Sequence, residues 1–348
     1  MANISSAEAN KMTDSFNNYL PEGCKLCYQG AKMVLFVSGI CGKKCFYCPV
    51  SEARSEKDVI FANERRVEKD EDIIEEALSM DALGTGITGG EPLLRLDRVL
   101  HYIRILKKRF GPMHHIHLYT ALPPNMGALE SLKNAGLDEI RFHPPHSMWK
   151  DINNTFYSSS IKMAHKLGIS VGIEIPSLAS DFSGILKLLD EVDGFLNLNE
   201  LEFSETNVEE MKKLGYEVAN DESCEAKGSR EVAEALNGKK MHFCSSRFKD
   251  AVQLRERFKR TAKKNARGFD EITEDGTLIY GVIEGCSPDF LKEAGVLEDT
   301  YVVTDVSIET ASWLASALAE DIKKMGGSAC IIERYPMKNG MVVERTPL

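Results

Sequence analysis

Short apolar runs and amphipathic stretches alternate along the first two thirds of the chain. The apolar runs are rich in Val, Ile and Leu, which is typical of buried strands. They predict strands at residues 32–37, 85–88, 115–120, 139–142, 170–175 and 200–203. Apolar residues at helical spacing predict helices at residues 71–78, 97–109, 127–135, 155–167 and 182–191. This alternation favours an α/β fold in which helices connect the parallel strands.

The pattern changes after residue 268, where helices and strands no longer alternate regularly. An Asp275-Gly276 turn between two strand-like runs predicts a hairpin. A helix at 288–294, a strand at 301–308, a helix starting near Glu309 and Ser312, and two strands around residues 338–340 follow. The sequence therefore predicts four segments: an N-terminal segment (1–30), a main α/β domain (31–223), a linking segment with a helix (224–268) and a small α+β domain (269–348).

The composition is that of a globular protein. Of the 348 residues 43% are apolar and 28% are charged, which excludes a disordered chain, a collagen-like repeat and a disulfide-rich miniprotein. No apolar run approaches the roughly 18 residues that span a bilayer. The N-terminus lacks the basic start and apolar stretch of a secretory signal, so we expect a cytoplasmic protein. In that reducing compartment, nine cysteines favour metal ligation or catalysis over disulfides.

Five of the nine cysteines crowd into a short segment: Cys24, Cys27, Cys41, Cys45 and Cys48. The last three follow a predicted strand that stops at Ser38-Gly39, so they lie on a loop at its carboxyl end. A structural zinc ion normally takes four protein ligands. An iron–sulfur cubane held by three thiolates leaves one iron open for another ligand. The spacing therefore favours a catalytic cluster, with zinc binding as the alternative.

A second motif interrupts the next strand. Gly89, Gly90, Glu91 and Pro92 break the apolar run and lead into an amphipathic helix. The paired glycines allow backbone to approach a ligand closely, and Glu91 adds a carboxylate. By itself, this segment could also be an ordinary turn between a strand and a helix.

The two motifs together resemble those of the radical S-adenosylmethionine (SAM) enzymes. The cysteines have the spacing Cys-x3-Cys-x-aromatic-Cys, with Tyr47 as the aromatic residue, and Gly89 comes 41 residues after Cys48. The arrangement most resembles a mainly archaeal group of radical SAM proteins that is related to the pyruvate formate-lyase activating enzyme.

This resemblance implies both a fold and a chemistry. The implied fold is a partial (β/α)6 TIM-like barrel. The implied cofactors are SAM and a [4Fe-4S] cluster held by Cys41, Cys45 and Cys48. In such enzymes the reduced cluster cleaves SAM to a 5′-deoxyadenosyl radical, which abstracts a hydrogen atom from the substrate. A reductant such as ferredoxin or flavodoxin is therefore an expected partner.

The resemblance also implies a set of cofactor-binding residues: Tyr47, Gly89, Gly90, Glu91, Thr120, Arg141, His143 and Glu174. By resemblance, Arg141 or His143 meets the cofactor carboxylate. Glu174 or Thr120 similarly meets the ribose hydroxyls. Any of these four could equally be a satisfied polar group at the barrel rim.

The remaining cysteines suggest a second site. Cys24 and Cys27 form a CxxC pair, which is too few thiols for a cluster, and Cys244 is the best candidate for a third ligand. An auxiliary [4Fe-4S] cluster on these three residues would again leave an open iron. The alternatives are a zinc ion with Cys224 or His242 as the fourth ligand, and a reactive dithiol. Two further cysteines, Cys286 and Cys330, are predicted to be structural.

The net charge of −10 conceals two opposite patches. Residues 181–237 carry 15 acidic and 5 basic residues, whereas residues 239–267 carry 11 basic and 2 acidic ones. A predicted helix at 246–266 could therefore bind a nucleic-acid backbone through residues 247–267, or pair with the acidic segment. The sequence thus favours a structured RNA such as tRNA as the substrate. A protein partner, a small-molecule substrate and a zinc-bound RNA-binding module without catalysis are the alternatives.

Overall fold

The computed structural model describes residues 6–13, 15–220, 224–236 and 238–348. The described residues form two compact units. The first contains the residues up to Leu78 together with Ala82–Gln253. The second contains Ser79–Asp81 and Leu254–Leu348.

The first unit is built on a large sheet. Its strands are β1 (Phe16–Asn17), β2 (Lys32–Phe36), β3 (Phe61–Ala62), β4 (Arg65–Arg66), β5 (Gly84–Thr88), β6 (His115–Thr120), β7 (Glu139–Phe142), β8 (Ser170–Pro176), β9 (Phe195–Asn199) and β10 (Met241–Cys244). The strand order is β1-β10-β9-β8-β7-β6-β5-β2-β3-β4, and the pairs from β2 through β5 to β10 are parallel. This mixed α/β fold with a parallel sheet confirms the predicted fold class. The parallel strands place their carboxyl ends along one edge of the sheet.

Helices connect these strands. They are α1 (Ser6–Thr13), α2 (Glu22–Tyr28), α3 (Asp70–Ser79), α4 (Leu96–Phe110), α5 (Met126–Ala135), α6 (Phe156–Lys166), α7 (Ser183–Glu191), α8 (Val208–Lys213) and α9 (Ser229–Glu234), with 3-10 turns at Pro92–Arg95, His146–Met148 and Ile152–Asn154. Local chemistry sets their ends. The side chain of Asn125 accepts a hydrogen bond from the Ala128 amide at the start of α5, and Gly136 ends this helix with a φ of 109°.

The sequence predictions misplaced one strand of this sheet and did not include four others, β1, β3, β4 and β10. The sixth parallel strand was expected at 200–203, but β9 ends at Asn199, and Glu202 forms only an isolated bridge with Glu225. Both segments alternate apolar and polar residues, so periodicity alone does not separate them. Three of the strands that were not predicted, β1, β3 and β4, have only two residues each, which is too short for a pattern to be recognised.

The helical region after β10 is not one regular helix. It consists of α10 (Ser246–Phe248), a π-helical turn at Lys249–Leu254 and α11 (Arg255–Asn265). The prediction of helix from 246 to 266 is therefore confirmed in extent, but not in regularity.

The second unit contains a small antiparallel sheet with the order β13-β14-β12-β15-β16. Its elements are β11 (Glu271–Ile272), which pairs with β12, then β12 (Leu278–Glu284), α12 (Asp289–Glu293), a 3-10 turn at Glu298–Thr300, β13 (Tyr301–Val303), β14 (Ile308–Thr310), α13 (Ser312–Lys324), β15 (Ser328–Arg334) and β16 (Val342–Pro347). The core beneath the sheet includes Ile283, Leu291, Ile308 and Ile322. The predicted α+β domain is thus confirmed.

Two details of the second unit differ from the prediction. The single strand expected at 301–308 is a hairpin of β13 and β14, closed by hydrogen bonds between Thr304 and Ser307. The predicted helix start at Glu309 is also wrong, since Ala311 is the N-cap of α13.

Candidate active site

The three clustered cysteines lie on an irregular loop that follows β2. Cys41 and Cys45 are partly exposed, and Cys48 is exposed. The Cys48 amide donates to the Cys45 carbonyl at 3.0 Å, so these two residues share one turn of chain. Burial raises the pKa of both Cys41 and Cys45 above the usual value. We call residues 41–48 the cysteine loop.

The two glycines after β5 hold the backbone that leads into the cysteine loop. The Gly90 amide donates to the Ser38 carbonyl at 2.7 Å, and the Glu91 amide donates to the Ile40 carbonyl at 2.9 Å. A Cβ on Gly89 would lie 2.5 Å from the Ser38 oxygen, and one on Gly90 would lie 2.5 Å from the Gly39 oxygen. Both glycines are therefore required for the close approach of two backbone segments.

The Glu91 carboxylate is fully buried and satisfied by protein donors. It accepts hydrogen bonds from the Leu93 amide at 2.9 Å, the Thr120 hydroxyl at 2.8 Å and the Ala121 amide at 2.6 Å. Burial raises its pKa above the usual range, although these donors oppose the shift. Glu91 thus ties the end of β5 to the end of β6, and it engages Thr120.

Tyr47 connects the cysteine loop to the barrel edge. Its hydroxyl lies 2.9 Å from His143 Nε2, and His143 Nδ1 lies 2.8 Å from the Glu174 carbonyl oxygen. Because a carbonyl only accepts, Nδ1 carries the proton and Nε2 accepts from Tyr47. Burial lowers the pKa of His143, which keeps the ring neutral.

Arg141 occupies the buried part of the site together with two carboxylates. Its Nε donates to Glu139 at 2.5 Å, and one terminal nitrogen donates to Glu174 at 2.6 Å. Burial would raise the pKa of Glu174, but the charge of Arg141 and a hydrogen bond from Asn199 hold it below the usual value. The other terminal nitrogen of Arg141 has no hydrogen-bond partner within the described chain.

One cavity of about 470 Å³ brings most of the predicted site together. Its lining includes two groups of cysteines and most of the predicted cofactor-binding residues: Cys24, Cys27, Cys41, Cys45, Cys48, Cys244, Tyr47, Gly89, Gly90, Thr120, Arg141, His143 and Glu174. A larger cavity of about 570 Å³, lined by polar residues such as Arg230 and Glu231, contains no cysteine. The cysteine-lined cavity is therefore the candidate active site.

The other predicted metal ligands lie elsewhere or are occupied. Cys224 is exposed and is not part of the cavity lining. His242 lines the cavity, but both of its ring nitrogens contact protein atoms, namely Asn197 Oδ1 and the Tyr28 hydroxyl. Cys286 and Cys330 belong to the second unit, and both pack against apolar cores.

The donor geometry distinguishes a single ion from a cluster. Across the described ranges, no three His, Cys, Asp or Glu side chains are close enough to hold one metal ion. An iron–sulfur cluster binds each thiolate to a different iron, so its ligands need not converge on one point. Three thiols on one loop therefore fit a cluster better than a preformed zinc site.

Sequence reasoning missed several residues of the cavity. Lys32, at the first position of β2, is buried and lies 3.5 Å from His117. Asn207 does not line the cavity, but its side chain supports the cysteine loop by donating to the Tyr47 carbonyl at 3.2 Å. The one available signal for Lys32 was a charged residue at the start of an otherwise apolar run.

The basic segment at 247–267 is extensively paired. Lys249 forms an ion pair with Glu202, Arg260 with Asp81 at 2.7 Å, and Lys259 with Glu256 at 3.1 Å. Arg267 also contacts two carboxylates. Much of the cationic charge is thus matched within the chain, and the Lys249–Glu202 pair joins the basic segment to the acidic segment at 181–237. Separately, no helix in the described ranges is long and apolar enough to cross a membrane.

The chain is similar to known proteins in both units. The family model described as the radical SAM superfamily matches residues 35–174, and a domain of unknown function matches residues 276–348. A protein of Methanocaldococcus jannaschii, with the provisional name glycyl-radical enzyme activating enzyme, is 39% identical over 361 aligned residues. The alignment covers 98% of this chain and 96% of that protein.

Two solved structures are more distant. A radical SAM methyltransferase of Kitasatospora setae is 12% identical to this chain, with a TM-score of 0.36. The match covers 53% of this chain and 37% of the methyltransferase. A methylornithine synthase is also 12% identical to this chain, with a TM-score of 0.38. The match covers 64% of this chain and 71% of the synthase. Both scores are low, and neither structure bears on the substrate.

Proposed function

Because the chain belongs to the radical SAM superfamily, we propose that it directs radical chemistry at a protein partner. Its status as a radical SAM enzyme follows from the family match and from the near full-length similarity to the Methanocaldococcus jannaschii protein. The family uses a [4Fe-4S] cluster and SAM, which supply a 5′-deoxyadenosyl radical for hydrogen abstraction when bound. The substrate is the part of the function that we propose.

We assign the cluster to Cys41, Cys45 and Cys48. Their thiols lie on a partly exposed loop and face the cavity. The backbone hydrogen bonds from Gly90 and Glu91 hold the strand end from which this loop starts. In this assignment the glycines act by positioning the cysteine loop.

We assign the cofactor pocket to the polar residues around the same cavity. Neutral His143 holds Tyr47, and Glu91 holds Thr120, so each side chain is oriented before the cofactor arrives. Arg141 and Glu174 form a buried ion pair at the cavity wall. Thr120, Arg141 and Glu174 are buried, so this wall of the pocket is kept from bulk water, which would protect a reactive radical.

The proposal of a protein partner rests on one observation. The Methanocaldococcus jannaschii activating-enzyme homologue is 39% identical to this chain across both units. The similarity extends past the barrel to almost the whole chain, so it includes the second unit. The RNA prediction has no comparable support, because the cations at 249, 259, 260 and 267 are already paired with carboxylates. Affinity for a nucleic-acid backbone depends on cations that can replace counterions.

The test measures 5′-deoxyadenosine formed from SAM by the full-length, anaerobically reconstituted protein with a chemical reductant. Protein and total RNA fractions of the source cell are added separately. We expect the protein fraction to stimulate product formation and protease treatment to remove the effect. Stimulation by RNA alone, sensitive to ribonuclease, would overturn the protein-partner proposal. The Cys41→Ala, Cys45→Ala, Cys48→Ala variant serves as the inactive control.

A further inference from the structure

The cavity contains a second group of thiols on its buried side. Cys24 and Cys27 lie three residues apart on α2, which places both side chains on the same face of the helix. Cys244 ends β10 and packs in the same buried cluster as Cys27. The exposed fractions are only 4%, 7% and 9%, yet all three residues line the cavity.

A buried ammonium group lies in the wall of the same cavity. Lys32 is 7% exposed and lines the cavity, and its Nζ lies 3.5 Å from His117 Nε2. Within the described ranges Lys32 forms no ion pair, and Glu174, the carboxylate on which its charge acts, is bound to Arg141. A buried ammonium without an anion is unfavourable.

Two buried donors near α2 also lack acceptors in the described chain. Because Lys32 can only donate, His117 Nε2 accepts, and His117 Nδ1 carries a proton that has no partner. The second terminal nitrogen of Arg141 is unpartnered as well. A Cβ on Gly23 would lie 2.6 Å from His117 Nδ1 and 2.7 Å from this Arg141 nitrogen. The unmatched donors therefore surround the start of the helix that carries Cys24.

The setting of these thiols fits neither a reactive dithiol nor a zinc ion. A dithiol that exchanges with a partner needs an accessible thiolate, whereas Cys24 is buried and burial raises its pKa to about 12. A structural zinc ion needs a fourth protein ligand, but both His242 nitrogens have protein partners and Cys224 is outside the cavity. No described set of donors converges on a single ion.

We propose that Cys24, Cys27 and Cys244 hold a second iron–sulfur cluster in the same cavity. Three thiolates would supply an anionic partner for Lys32 and negative charge near the unmatched donors of His117 and Arg141. They would also leave one iron without a protein ligand, and because all three cysteines line the cavity, that iron could take a nitrogen, oxygen or sulfur atom of the substrate. This inference rests on the proposed function, since it places the second cluster beside the site of radical formation.

The test compares iron and acid-labile sulfide in four forms of the full-length protein after anaerobic reconstitution. They are the wild type, the Cys41→Ala, Cys45→Ala, Cys48→Ala variant, the Cys24→Ser, Cys27→Ser, Cys244→Ser variant and a Cys286→Ser, Cys330→Ser control. We expect about eight irons in the wild type and in the control, and about four in each triple variant. Addition of SAM should change the electron paramagnetic resonance spectrum of the Cys24/Cys27/Cys244 variant, which keeps the cysteine loop, and leave that of the Cys41/Cys45/Cys48 variant unchanged.

The Cys41/Cys45/Cys48 variant shows whether the second cluster exists, because its substitutions lie on a partly exposed loop and leave the buried site intact. If it retains no iron, or retains zinc without sulfide, the second cluster does not exist. That result would leave the proposed function standing, provided that the wild type holds about four irons and cleaves SAM. A wild type without any iron would overturn both proposals.

Discussion

The two cysteine groups of the cavity differ in almost every physical respect. The cysteine loop is irregular, partly exposed and held by backbone hydrogen bonds to Gly90 and Glu91. Cys24, Cys27 and Cys244 lie on regular elements, are buried and share their cavity wall with Lys32. An exposed loop can exchange ligands with little effect on the fold, whereas a buried site contributes to the core. Substitutions should therefore separate catalysis from stability.

The largest expected effect is that of Cys41→Ala. It should reduce 5′-deoxyadenosine formation to the level without enzyme, because the cluster loses one of three thiolates. The free energy of unfolding should change by less than about 0.5 kcal/mol, since the side chain is partly exposed. Cys244→Ala is the matched variant in the buried group, and we expect it to cost roughly 1–2 kcal/mol of stability. Equal destabilisation by Cys41→Ala and Cys244→Ala would contradict the contrast between the partly exposed cysteine loop and the buried cysteines.

The second largest effect is expected for Gly90→Ala. Its Cβ would lie 2.5 Å from the Gly39 oxygen and 2.7 Å from the Ile40 oxygen, so the strand end before the cysteine loop must move. We expect a loss of about 1–3 kcal/mol in stability and an iron content reduced at the cysteine loop. The control is Gly127→Ala, whose Cβ would meet only the Asn125 side chain at 3.7 Å. That change lies in helix α5 and should stabilise by about 0.5–1 kcal/mol. Normal iron content in Gly90→Ala would show that the close approach is dispensable.

The same contrast explains which features the sequence could predict. The strands at His115–Thr120 and Glu139–Phe142 match their predicted bounds, because polar and apolar residues alternate in both and turns lie on either side. The cysteine loop was predictable for a similar reason, since its spacing is local. Strand β9 was misplaced because two adjacent segments carry the same alternating pattern and only pairing with β8 selects one of them.

Other features depend on contacts between distant residues. The glycines at 89 and 90 are predicted to let backbone approach a ligand, and the structure adds a second close approach, to the backbone of residues 38–40. The setting of Lys32 depends on His117, which lies 85 residues away. No local pattern encodes such contacts, so they become visible only when the strands are placed side by side.

Lys32→Met is expected to have a smaller effect, but the sign of the change in the free energy of unfolding is informative. In the metal-free protein the change removes a buried ammonium group without an ion pair, and we expect a gain of roughly 1–3 kcal/mol in the free energy of unfolding. With metal bound the gain should disappear, because the ammonium then faces thiolates. Denaturation curves of both forms measure the difference. A gain of equal size in both forms would mean that Cys24, Cys27 and Cys244 are ordinary core residues.

The smallest effects come from one conservative change in each region. Tyr47→Phe removes the hydroxyl that donates to His143 at 2.9 Å, and Tyr28→Phe removes the hydroxyl that contacts Asn10 at 2.6 Å and His242 at 3.4 Å. We expect Tyr47→Phe to lower the rate of SAM cleavage several-fold with little change in stability, because it frees the cysteine loop. Tyr28→Phe should cost about 0.5–1.5 kcal/mol and leave the rate unchanged, since its hydroxyl supports only the buried side. Parallel measurements of rate and urea midpoint give both quantities for each variant. If the two variants exchanged these effects, the division into an exposed catalytic group and a stabilising buried group would be wrong.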